Sequence, residues 1–216
     1  VAVGVGVRDP RLVALGAIKS IKAVTSASMT GPGGPTHAET TTYLEYPDHV
    51  RVETTLPEGS QTQVYDGQHA WVRDEVGLHD VPAAAVRGMR DGLRRDTVAA
   101  LLAAHRGELS VRLLPDVKGD SGRLSHALEM SSPDLDPFVL YVDPQTSLIV
   151  KQTFVVGGPG RPLVEEIFSD YRPVNGIQVA FSAELRRGGK SQVQRRVTGF
   201  TVNPPIDPTL FKRPAS

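Results

Sequence analysis

The chain has 216 residues, 39% of them apolar, enough to bury a sizeable core in one large β domain or two small ones. Its 24 basic residues are balanced by 24 acidic ones, which argues against nucleic acid as a partner. It has no cysteine, so disulfides, thiolate metal ligands, cysteine nucleophiles and a lipidated cysteine within this chain are excluded.

Val1–Val7 is small and apolar and reads as the remnant of a linker or signal segment. Asp9-Pro10 reads as a capped helix start, with proline where its missing N–H costs nothing. Leu12, Leu15 and Ile18 then give a short amphipathic helix to about Ser20. Lys22–Thr30 and His37–Tyr46 alternate as strands, joined by the glycine-rich loop Gly31–Pro35. No Gly-Lys-Ser/Thr follows that loop and no helix opens after it, so it reads as a hairpin loop rather than a phosphate cradle. His49–Thr55, Gln61–Tyr65 and His69–Arg73 continue as a meander, with Val50 and Val52 on one face and Arg51 and Glu53 on the other. Asp66-Gly67 supplies a hairpin signal before the single tryptophan, Trp71.

The period then changes. Asp80 and Pro82 open a helical stretch, Ala83–Arg90, weakened by Gly88 and Gly92. Asp96 caps a second helix, Thr97–His105, with Val98, Leu101 and Leu102 on one stripe, and Arg106-Gly107 ends it. Residues 80–106 are thus a helical insert between two runs of strands. Strands resume at Leu109–Leu114, Gly122–Met130, Pro137–Val142, Leu148–Val156, Leu163–Asp170, Ile177–Leu185 and Ser191–Val202. Asn175-Gly176 is the dipeptide that a two-residue hairpin turn prefers, and the prolines of Asn203–Phe211 end the ladder. No linker composition appears, so the expectation is a single domain over residues 1–216. About twelve antiparallel strands cannot remain one flat plate, because twist makes large sheets curl or close. The predicted fold is therefore mainly β: a curved antiparallel sheet forming an incomplete barrel of 11–12 strands, with a helical lid.

No catalytic set emerges. The histidines at 37, 49, 69, 79, 105 and 126 are scattered, and His105-Arg-Gly-Glu108 lacks the second histidine of a zinc motif. Gly119–Gly122 places Ser121 between strands rather than on a nucleophile elbow. Asp134 and Asp136 lie in a loop without calcium-loop spacing. Glu165 and Glu166 are adjacent on a strand, so they point to opposite faces and one of them must face inward or sit at an edge. Neither an enzyme activity nor a cofactor or metal is expected.

The order of Asp66-Gly67 and Trp71, the helical insert, Tyr141-Val-Asp-Pro-Gln-Thr146, Asp170-Tyr-Arg-Pro-Val-Asn-Gly-Ile177 and Asn203-Pro-Pro-Ile-Asp-Pro-Thr-Leu-Phe211 resembles the LolA/LolB-like lipoprotein-carrier superfamily. The resemblance implies an incomplete β-barrel of about eleven strands under an α-helical lid, a cavity for acyl chains, and a periplasmic or otherwise extracytoplasmic location. It also implies a lid-closing arginine, for which Arg51 is the candidate. The lipidated cysteine and exposed apolar loop of the family's receptors are not visible. Cavity candidates from the first half are Val50, Val52, Val64 and Trp71, with Leu101 and Leu102 from the insert. From the second half they are Val139, Tyr141, Phe154, Phe168, Val179 and Phe181. Each buried CH₂ of an acyl chain gains on the order of 0.8 kcal/mol, so such a pocket needs no polar constellation. The expected partners are lipid or lipoprotein acyl chains and envelope proteins. The alternative is a ligand-free accessory domain of a larger exported protein, such as an insulinase-type zinc peptidase.

Overall fold

The structure, a computed structural model, describes residues 10–31, 34–119, 122–157 and 160–214. The expectations for Val1–Val7, the Asp9 cap, the tip of the Gly31–Pro35 loop and Ser121 lie outside the described residues.

Thirteen strands among the described residues form one antiparallel sheet. The chain enters through helix α1 (Pro10–Gly16) and runs through β1 (Ser20–Gly31), β2 (Gly34–Glu45), β3 (His49–Leu56), β4 (Gly59–Asp66), β5 (Ala70–Asp74) and β6 (Gly77–Asp80). Helices α2 (Ala83–Arg95) and α3 (Thr97–His105) follow. The chain returns through β7 (Ser110–Lys118), β8 (Leu124–Ser132), β9 (Leu135–Val142), β10 (Ile149–Val155), β11 (Leu163–Val174), β12 (Ile177–Arg187) and β13 (Lys190–Val202). The order across the sheet is β6 to β1, then β13 back to β7. The chain therefore starts mid-sheet and walks to one edge. It crosses to the other edge through α2 and α3, then walks back to the middle. The sheet is curved and unclosed, as expected, and the helical insert joins its two open edges.

The strand beyond the expected twelve is β6. It has four residues and one large apolar side chain, Leu78, too few to show an alternation. Helix α2 is also longer than Ala83–Arg90, running through both Gly88 and Gly92. Burial outweighs the roughly 1 kcal/mol that each glycine costs a helix: Leu93 is buried with Tyr65 and Ala70, and Val86 and Met89 pack on the same cluster. Asp96 caps α3 as expected, accepting from the Val98 and Ala99 amides. Asn175 and Gly176 both have positive φ, as the predicted hairpin turn requires.

Cross-strand register separates the two faces. On the inner face, Ile21, Leu44, Val50 and Tyr65 are successive neighbours across β1 to β4. Phe154, Phe138, Met130 and Val111 form the equivalent row across β10 to β7. The helices cover these rows: Leu15 and Leu102 pack on Ile21, and Ala100 on Met130 and Phe138. A bulge in the β1–β13 pairing, opposite Gly199 and Val197, shifts the register by one residue. That shift keeps Arg195, Val197, Phe200 and Val202 all on the inner face.

The outer face carries the row Tyr43, Arg51, Val64 and Trp71. The C-terminal tail covers it. Asn203 is pinned by accepting from the Lys19 and Ser20 amides and donating to the Ala17 carbonyl. The chain beyond it ends in a 3₁₀ turn, Pro208–Phe211, whose Phe211 is buried on Val64 and Trp71.

Candidate ligand cavity

A cavity of about 320 Å³ opens where α2 and α3 meet the sheet. Its apolar lining comes from Leu93 on α2, Ala99, Leu102 and Ala103 on α3, and Leu109 ahead of β7. Tyr46, Pro47 and Asp48 of the β2–β3 turn and Tyr65 and Gly67 of the β4–β5 region form another wall. Arg90, Arg94, Arg106, Glu108 and Asp134 rim it with charge. The volume lies at the lower end of the range for small-ligand pockets, about 300–1,000 Å³.

The rim includes a latch. Arg94 pairs with Asp134 at 2.9 Å and donates to Ser132 Oγ, while Arg90 donates to the Asp134 carbonyl. Asp134 lies in the turn between β8 and β9, so these contacts tie α2 to the half-sheet opposite the one on which it packs. The hydrogen bond from Arg94 holds the Asp134 carboxyl below the usual carboxylate range, assisted by Ser132. The latch should therefore persist through ordinary carboxylate titration and release only as pH falls through that lowered value. Asp134→Ala is expected to speed amide hydrogen exchange across α2 while leaving exchange in β1 and β13 unchanged. Uniform acceleration over the whole chain would show that the contact acts on global stability instead.

A polar layer lies beneath the α2–α3 elbow. Asp96 accepts from the Tyr46 hydroxyl at 2.9 Å in addition to its two capping bonds. Glu166 faces inward, is buried, accepts from Gln152 Nε2 at 2.8 Å and forms an ion pair with Arg195. Its neighbour Glu165 points outward to Lys151 at 3.2 Å. Arg95 is buried, with its guanidinium 4.5 Å from the Phe154 ring centroid. Burial pulls the Arg195 guanidinium down, opposed by the charge of Asp96. Yet 41% of the Arg195 side chain remains accessible, so this burial is enclosure within the half-barrel rather than close packing, and solvent screens the charge in part.

Burial pushes the Asp96 carboxyl up, outweighing the bonds from Ala99, Tyr46 and Val98 and the charge of Arg195. A carboxyl whose value rises on folding holds its proton more tightly when folded. It therefore disfavours folding increasingly as pH climbs from the unfolded value towards the folded one. Asp96→Asn keeps an oxygen for the cap and Tyr46 but carries no charge. Its Tm relative to the natural protein is expected to be higher at pH 7 than at pH 3, and a pH-independent difference in Tm would refute the assignment.

The twelve cavity candidates do not assemble into one site. Leu102 lines the cavity, and Val50 packs on the Tyr65 and Leu93 cluster beside it. Val52 shares the inner face through its pairing with Thr42 and Gln63. Phe154 packs in the inner core with Phe138 and Leu140. Phe168 pairs with Ala183 on β12, and Val179 with Arg172, whose guanidinium lies 4.5 Å from the Phe181 ring. Leu101 is 38% exposed and lies on the helix face away from Ala99 and Ala103. Val64 and Trp71 sit on the outer face under Phe211. Val139 and Tyr141 alternate with the inward Phe138 and Leu140, and Tyr141 meets Lys151 outside. These four are corrected from cavity to outer face. Arg51 is corrected from lid to tail: it donates to the Leu210 carbonyl at 2.9 Å and to Glu53 at 2.8 Å, on the face away from α2 and α3.

The residues not anticipated include the cavity's Tyr46, Tyr65, Leu93, Ala99, Ala103 and Leu109, and, in the polar layer, Asp96 beyond its capping role, Arg95, Gln152 and Arg195. One signal was present: in Arg195-Arg196, as in Glu165-Glu166, adjacent strand residues face opposite ways, so one arginine must point inward. Among the described residues no group of three or more His, Asp or Glu side chains is placed to hold a metal ion.

A curved, unclosed antiparallel sheet with helices laid across its inner face defines the half-barrel class. Within that class, the chain has the fold of the LolA superfamily. It is similar to a LolA superfamily protein from Nitrosomonas europaea, with a TM-score of 0.64 at 13% identity over 94% of this chain and 96% of that one. A candidate outer membrane lipoprotein-sorting protein domain from Vibrio parahaemolyticus gives a TM-score of 0.64 at 11% identity, over 93% and 92%. A DUF1329 family protein from Desulfovibrio piger gives 0.66 at 13% identity, over 94% and 95%. No family model and no curated protein matches the sequence.

Proposed function

We propose that the protein binds the apolar chains of a lipid or lipoprotein in its half-barrel, outside the cytoplasm, as an envelope carrier or sensor without catalysis. The observation that carries this reading is the 320 Å³ cavity, which has an apolar floor of Leu93, Leu102, Ala103 and Leu109 beneath the two helices that bridge the sheet edges. The likeness of the fold to lipoprotein-sorting domains supports it. Among the described residues no helix is long and apolar enough to cross a membrane.

Organic extraction of the purified protein, followed by mass spectrometry, is expected to release a bound lipid. A fluorescent acyl probe should bind the delipidated chain, and Ala99→Trp, which fills the lining, should weaken that binding at least about tenfold. A ligand-free protein that ignores the probe would favour the alternative, an accessory domain of a larger exported protein such as an insulinase-type zinc peptidase.

A further inference from the structure

Arg95 and Gln152 are buried polar side chains left incompletely paired. Arg95 is 9% exposed and its Nε has no hydrogen-bond partner. No carboxylate of a described residue reaches ion-pair distance of it, and Asp91 and Asp136 act on it only from further away. The contact of the guanidinium with the Phe154 ring uses none of its N–H donors. Gln152 is 4% exposed; its Nε2 is used by Glu166, but its Oε1 has no partner. Gln152 and Phe154 are two residues apart on one face of β10, so this orphan acceptor and the guanidinium over Phe154 share the inner face. Glu166 pairs with Arg195, which also feels the charge of Asp96, whereas Arg95 has no ion pair among the described residues. A buried guanidinium without an acceptor carries a desolvation cost that a bound anion removes.

The layer is also continuous with an apolar row. Gln152, Leu140, Leu128 and Leu113 are successive cross-strand neighbours from β10 to the edge strand β7. Three strand spacings make this row about 14 Å long. It ends at Leu113, which is 68% exposed. Leu140 within it is 1% exposed and packed with Ala100 of α3, so the row is core that joins the polar layer to the open edge.

We propose that this layer recognises an anionic head group, a carboxylate or phosphate carried on the apolar ligand, with Arg95 as its principal donor. The proposal rests on the apolar-ligand reading above and adds the head group to it. The test uses the delipidated full chain and three twelve-carbon probes: dodecanoate, dodecyl phosphate and neutral dodecanol. The natural protein is expected to bind at least one anionic probe about tenfold or more tightly than dodecanol, the advantage of a charge-assisted hydrogen bond. The anionic probe that shows the larger preference identifies the head group. Arg95→Met should reduce anionic binding to the dodecanol level without altering dodecanol binding. Equal affinities in the natural protein, or a preference that survives Arg95→Met, overturn the proposal and leave the apolar-ligand reading intact. Failure of all three probes to bind overturns both. Should Arg95→Met not fold, the comparison of probes in the natural protein decides alone.

Discussion

Phe138→Ala is expected to lower stability by about 3–5 kcal/mol, read as a fall in the urea midpoint at unchanged m-value. Phe138 is 1% exposed and sits in the row that joins the returning half-sheet to the helical insert, touching the cluster of Ala100, Met130 and Leu140. Alanine on α3 and methionine on β8 cannot both move in to fill the space, because α3 is also anchored through Leu102 to α1 and β1. The transfer loss and the cavity cost therefore add rather than relax away. The inner core holds the two halves of an open sheet together, so the transition should stay single. A cost below about 1 kcal/mol would mean that the helices collapse easily onto the sheet, and the inner face would not be a fixed scaffold for a ligand.

How much was legible beforehand follows from what alternation encodes. Period-2 patterns located twelve of the thirteen strands, and Asp96 and Gly107 marked the boundaries of α3. The change of period at the insert showed that helices cover the sheet. Alternation does not say which face is inner when both carry apolar residues, and here both do: the tail supplies an outer hydrophobic cover in Phe211. Val64 and Trp71 therefore looked like cavity residues, and Tyr141 did so for the same reason. Arg51 could be assigned to the face opposite Val50 and Val52, but only the folded tail shows that its partner is the Leu210 carbonyl. The interior ion pair was half visible. Glu165-Glu166 required one carboxylate to face inward or sit at an edge, while its cation stands 29 positions later on a strand two places away in the sheet, beyond the reach of any local pattern. An acyl pocket needs no polar constellation, yet the interior holds one at this point.

That ion pair sets up the second large effect. Glu166→Ala leaves Arg195 without its carboxylate and Gln152 Nε2 without its acceptor, within one enclosed layer. Removing one partner of a fully buried pair costs about 3–5 kcal/mol, and because 41% of the Arg195 side chain is accessible, the expectation here is nearer 2–3 kcal/mol. Replacing both partners with apolar residues is a different experiment. Glu166→Leu with Arg195→Met removes two desolvation costs together with one attraction, and is expected to recover most of the loss or to exceed the natural stability. Measured as a double-mutant cycle by urea unfolding, the two single losses should sum to well over the loss of the double variant, a coupling of at least about 1 kcal/mol. Strict additivity would mean that each group is satisfied independently of the other, and the polar layer would not be a unit. If the double variant is as stable as the natural protein, stability does not explain why a charged layer occupies the inside of a half-barrel. Recognition then becomes the stronger account, and the comparison of anionic and neutral probes with Arg95→Met tests it directly.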